Sequence, residues 1–137
     1  MRNYPCWKQI GITRDRYFEL LHFCRQYQDW KFKAESLIGI RAIKAGGGQR
    51  GKSIGDPVAK AAEERERLMA KITMVEDCAR KVGGGLWYAG IMQNVCYGKA
   101  YTYIDKTLLP TSNKNAFFKS RRDFFVFLDE MKSRIEE

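Results

Sequence analysis

Residues 56–82 read DPVAKAAEERERLMAKITMVEDCARKV, and their spacing decides the fold class. Val58, Ala61, Arg65, Leu68, Ile72, Val75, Ala79 and Val82 step by alternating threes and fours along one helical face, with Arg65 the one polar intruder. Asp56 is a natural N-cap, and Pro57 falls at the first helical position, where its missing N–H costs nothing. Gly83-Gly84-Gly85 closes the run. Roughly three and a half heptads make a short coiled coil, so packing on the first helix of the chain is the expectation and a homodimer seam the alternative.

On the N-terminal side, Thr13 is a suitable N-cap for a helix that keeps residues 17, 20, 21, 24, 27 and 30 on one apolar face. The pattern continues less cleanly from Lys31 to Lys44 and stops at Gly46-Gly47-Gly48, which fits either a helical hairpin or one long helix. Toward the C-terminus, Leu86–Cys96 is helical, with Trp87, Ile91 and Val95 in one row and Leu86 and Met92 beside it. Tyr97-Gly98 reads as a turn, Ala100–Lys106 as a short helix and Leu108–Thr111 as a second turn. Ser112 is placed to cap a final helix. No alternating run is long enough for a sheet. The expected fold is therefore all-α: a helical bundle with a C-terminal helix-turn-helix and no sheet. It divides into a helical segment (1–45), a Gly-rich basic loop (46–55) and a helical domain (56–137), with the helix-turn-helix at about 86–137.

The chain has 137 residues, 45% apolar and 30% charged, enough for a packed core. Its 25 Lys and Arg against 16 Asp and Glu give a net charge of +9, which points to a polyanionic partner. No apolar run approaches the roughly 18 residues of a membrane span. The first residues, MRNYPCWKQIGITRDR, lack a signal-peptide core, so a cytoplasmic location is expected. Cys6, Cys24, Cys78 and Cys96 form no CxxC pair, and His22 is the only histidine. Zinc sites and Cys-His or Ser-His-Asp catalysis are thereby disfavoured, and neither an enzyme nor a metal or other cofactor is expected. Glu63, Glu64, Glu66, Glu76 and Asp77 alternate with Lys60, Arg65, Arg67, Lys71 and Arg80, the pattern of a solvated helix face.

One motif is rejected on context. Gly46–Ser53 fits G-x-x-x-x-G-K-[ST] letter for letter, but Ile54-Gly55-Asp56-Pro57 starts a helix where the phosphate-binding helix should already be running. No Walker B strand follows. Arg50 and Lys52 remain candidate phosphate contacts of a basic loop.

The C-terminal segment carries the functional signal. Residues 99–122 hold six basic groups against Asp105 alone, whereas five acids oppose Lys132 and Arg134 from Asp123 onward. At 100° per residue, Phe117, Phe124, Leu128, Met131 and Ile135 form a narrow apolar stripe, with Lys114, Asn115, Phe118, Lys119 and Arg122 broadly opposite. A helix entering the major groove front-first needs this layout, basic in its leading half only. Asn115 and Arg122 suit base edges. Lys114, Lys119 and Arg121 suit phosphates. Ser112 and Asn113 lie at the helix front, and Lys99 and Lys106 add cationic contacts. Phe118 and Phe125 lie off the main stripe.

Tyr17-Phe18-Glu19-Leu20, Phe23–Tyr27, Trp30-Lys31, Gly55-Asp56-Pro57, Leu109–Ser112, Phe117-Phe118 and Arg121–Phe125 occur in an order that resembles the RinA-like and ArpU-like phage proteins. These are late-gene transcriptional regulators with a helix-turn-helix similar to the promoter-reading region of sigma factors. The resemblance implies a recognition helix fronted by Ser112–Arg122, preceded by the helix over Ala100–Lys106. It departs from the family where bulky Trp87, Tyr97, Tyr101 and Tyr103 replace small polar residues.

The leading expectation is a phage-derived regulator that binds double-stranded DNA in the bacterial cytoplasm and meets host RNA polymerase at a promoter. One alternative is a DNA-packaging adaptor of the small-terminase type. Another is an inhibitor of a host nucleic-acid enzyme such as a defence nuclease. No membrane partner is expected.

Overall fold

A computed structural model describes residues 11–46, 57–110 and 113–136. The fold is all-α, and no strand occurs among the described residues. In chain order the elements are α1 (Arg14–Arg25), α2 (Tyr27–Gly46), α3 (Pro57–Lys81), a 3-10 turn (Val82–Gly85), α4 (Tyr88–Ile91) running into a π-helical segment (Met92–Cys96), α5 (Tyr101–Leu108) and α6 (Lys114–Glu136).

Two compact units divide the chain. One takes α1 together with the described chain from Met74 onward, and the other spans Tyr27–Thr73. The division falls inside the segment expected over residues 1–45. Between α1 and α2 the helix is interrupted at Gln26, so this stretch is not one continuous helix. The Gly-rich loop expected over 46–55 lies almost wholly outside the described residues.

In the Tyr27–Thr73 unit, α2 and the front of α3 run antiparallel. Lys33 bridges Glu64 at 2.9 Å, while Lys71 sits 5.7 Å from the centre of the Trp30 ring, so rising numbers on one helix meet falling numbers on the other. Tyr27, Trp30, Ala34 and Leu37 are buried, as are Ala61, Leu68 and Ile72 of the α3 stripe. Arg65 holds the intruding position that the spacing marked. It is half-buried, and its Nε is shut off from solvent without a hydrogen-bond partner. An unmade bond of this kind opposes folding by about 1–3 kcal/mol, and the rest of the guanidinium recovers part of that in water. Arg65→Met is therefore expected to raise the urea-unfolding free energy by about 1 kcal/mol. A loss instead would mean that the guanidinium contributes net stability.

The other unit is built around α6. Thr13 caps α1, its hydroxyl accepting from the Arg16 N–H at 3.1 Å. Tyr17, Leu20 and Cys24 then enter the core with Val75, Cys78, Ala79 and Val82 from the end of α3, Ile91, Val95 and Cys96, Ile104, and Phe117, Phe124, Phe125 and Leu128. Arg16 ties α1 to α6 twice, Nε to the Asp129 carboxylate at 2.7 Å and Nη2 to the Ser133 hydroxyl at 3.3 Å. Tyr17 packs edge-on against Phe125 at 4.9 Å. Leu86, expected beside the Trp87 row, is instead 64% exposed, and Ile135 at the end of the α6 stripe is 69% exposed.

Glycine sets two turns of this unit. Gly83, Gly84 and Gly85 take φ of 54°, 67° and 88° in succession, a left-handed run that other residues resist. A Cβ on Gly83 would also lie 2.9 Å from Cδ1 of Trp87. At Gly98, φ 71° lets the Lys99 N–H close back on the Gln93 carbonyl at 2.9 Å, ending the π-helical segment on a left-handed glycine. The Arg25 guanidinium fills the space beside Gly98, and its Nε donates to the Val95 carbonyl at 2.8 Å.

Candidate nucleic-acid interface

α6 begins one residue later than the sequence implies. Asn113 is its cap: the side-chain oxygen accepts from the Ala116 N–H at 3.0 Å, and the Asn113 carbonyl receives the Phe117 N–H at 3.0 Å. The capping role expected of Ser112 thus passes to Asn113, and Ser112 itself lies outside the described residues. Arg50, Lys52 and the P-loop-like motif are outside them too, as is the side chain of Lys106.

Behind the cap, α6 separates into two faces. Phe117, Ser120, Arg121, Phe124, Phe125 and Leu128 are buried. Asn115 and Lys119 are exposed and Arg122 half-exposed, and at 100° steps these three lie within about 60° of one another. Asn115 and Arg122 make no hydrogen bond or ion pair to any described residue. Lys119 reaches Asp123 at 3.3 Å across an exposed i, i+4 pair, an attachment worth only a few tenths of a kcal/mol. Lys114 is exposed, its ammonium 5.9 Å from the Tyr101 ring centre. Lys99, in the turn before α5, is exposed and lies 5.2 Å from the Tyr103 ring.

Arg121 departs from the role expected of it. Instead of standing ready for a phosphate it is 7% exposed, with Nε donating to the Asn94 side-chain oxygen at 2.7 Å. Its guanidinium carbon lies 5.6 Å from the Tyr17 ring centre and 5.1 Å from that of Phe125. Phe125, noted for lying off the apolar stripe, is fully buried in the same cluster. Asn94 also donates to the Lys99 carbonyl at 2.9 Å, so one amide joins the turn before α5 to α6. Sequence reasoning missed Asn94, because a polar residue one turn from a glycine carries no periodic signature.

The remaining reactive groups sit apart from this face. Cys24, Cys78 and Cys96 are free and buried. Burial pushes the Cys24 thiol well up, reinforced by its hydrogen bond with Cys96, and pushes Cys78 up to about 11, so both stay protonated at neutral pH. Cys78 and Met131 approach at 3.6 Å between sulfurs, a contact of soft core atoms. Among the described residues no group of three or more His, Cys, Asp and Glu is arranged to hold a metal ion. No described helix is long and apolar enough to cross a membrane. No family model, curated protein or solved structure matches the chain.

Proposed function

We propose that this chain is a non-enzymatic, sequence-specific double-stranded DNA-binding protein. In this reading α4 with its π-helical end, α5 and α6 act as a helix-turn-helix, and α6 enters the major groove front-first. The observation that carries it is the outward face of α6, where Asn115 and Arg122 flank Lys119 and make no hydrogen bond or ion pair among the described residues. Asparagine and arginine are the residues that form bidentate bonds to adenine and guanine edges. Lys114, Lys119 and Lys99 supply phosphate contacts that set the register. Beyond Arg122 the helix carries Asp123, Asp129 and Glu130, which phosphates repel, so only its leading half suits the groove. The resemblance to RinA-like and ArpU-like regulators adds the biological role: transcriptional control in a phage-infected bacterial cell, with host RNA polymerase as protein partner.

Fluorescence anisotropy on duplexes selected from a random library tests this reading at two salt concentrations. The wild type is expected to prefer its selected duplex over scrambled DNA. Asn115→Ala/Arg122→Ala is expected to lose at least about 30-fold in affinity for it, since each bidentate pair discriminates by about 1–3 kcal/mol. Lys114→Ala weakens binding to all duplexes alike and lowers the salt slope by about 1. Equal, salt-sensitive binding of every duplex by the wild type and the double variant would overturn sequence recognition. No binding at low salt would overturn DNA binding altogether.

A further inference from the structure

The centre of the exposed α6 face is apolar. Phe118 lies one helical turn from Lys114, Asn115 and Arg122, so donors surround its ring on the helix surface. Unlike Phe117, Phe124 and Phe125, which are fully buried, it is half-exposed. Its ring is not loose. Tyr101 of α5 supports it at 5.8 Å, tilted by 36°, and Phe117 meets it edge-on at 5.1 Å and 84°. Tyr101 packs in turn on Phe117 at 5.4 Å. A rigidly backed, half-exposed aromatic ring among hydrogen-bond donors matches a surface that mixes acceptors with a small apolar group.

The floor of the major groove offers one such group, the 5-methyl of thymine, beside the acceptors of adenine and guanine. We infer that Phe118 is a specificity-determining residue that packs on a thymine methyl next to the base pairs contacted by Asn115 and Arg122. This rests on the DNA-binding reading above and adds the base that the ring selects. Asn115 and Arg122 distinguish purine edges by hydrogen bonds, whereas Phe118 distinguishes thymine from cytosine and uracil by a single methyl group. Tyr101 is a positioning residue in this scheme, since it fixes the ring without touching DNA.

The test replaces each thymine of the selected duplex, one at a time, by deoxyuridine, which removes the methyl and leaves base pairing unchanged. Affinity is read by anisotropy for the wild type, Phe118→Ala and Phe118→Leu, with far-UV circular dichroism to verify that the variants fold. One thymine is expected to stand out, its replacement weakening wild-type binding about fourfold, the value of one buried methyl. Phe118→Ala removes that difference, and Phe118→Leu, still apolar, keeps part of it. A selected site without such a thymine, or a penalty that persists in Phe118→Ala, would overturn the assignment. The wild-type scan decides the first point without any variant. Failure of the wild type to select any duplex would instead reject the sequence-specific reading, and this inference with it.

Discussion

Phe117→Ala is expected to lower the urea-unfolding free energy by about 3–5 kcal/mol, the range for emptying a fully buried aromatic site. Phe117 has no exposed surface, and it joins three helices. Its ring faces Trp87 at the start of α4 at 6.2 Å and Tyr101 of α5 at 5.4 Å, and it belongs to α6 itself. Gly90 of α4 completes the fit, because a Cβ there would come within 3.4 Å of the Phe117 ring and into the side chain of Leu109. Truncation therefore opens a cavity where backbone from separate helices converges, and such a site collapses poorly. The midpoint should fall with the denaturant slope unchanged. Phe117→Leu, which refills much of the volume, should lose less than half as much. A loss below about 1.5 kcal/mol for alanine would show that the three helices close around the gap. Binding gives a second readout: with Phe117 gone, the edge-on support of Phe118 is gone too.

Phe117 was visible in the sequence for the reason that most of the architecture was. Along the front of α3, which α2 covers, burial follows period at Ala61, Leu68 and Ile72, and the stripe continues with Val75, Ala79 and Val82 buried, joined there by Met74 and Cys78. Local punctuation was equally legible, because Thr13, Pro57, Gly83–Gly85 and Gly98 act through their own backbone chemistry. What the sequence hid was covering from a second side. Periodicity gives α6 an apolar stripe about 60° wide, but α1 packs there as well, through Tyr17 on Phe125 and Arg16 on Asp129. The buried arc widens to take in Ser120, Arg121 and Phe125, two of them polar residue types that periodicity assigns to solvent. The helix break at Gln26 escaped for a similar reason. Apolar residues keep their spacing across it from Cys24 to Tyr27 and Trp30, and no glycine or proline marks it.

The neighbours Arg121 and Arg122 turn that distinction into a measurable one. Sequence gives them the same chemistry, and the fold gives them opposite environments. Arg121 is held against the Tyr17 and Phe125 rings and bonded to Asn94, with no ion pair to a carboxylate among the described residues. A hydrogen bond from a charged donor contributes about 1.5–3 kcal/mol, and each desolvated ring contact adds about 0.5–2. Desolvation of the guanidinium cancels a large part of that sum. Arg121→Ala also leaves a void beside the two rings and strips Asn94 of its donor, so a net loss of about 2 kcal/mol in unfolding free energy is expected. Arg121→Met, which keeps the volume and drops the charge, should recover most of it. Neither change should alter affinity for the selected duplex at a temperature where the protein is folded, because the Arg121 side chain does not reach the surface. Arg122→Ala should behave inversely, with stability within about 0.5 kcal/mol of wild type and affinity down at least tenfold. Denaturation curves and anisotropy on the same three variants decide the matter. A folded Arg121→Met protein that no longer binds DNA would place Arg121 on the phosphate backbone after all, and the α6 face would then have to turn by about 100° to bring it there.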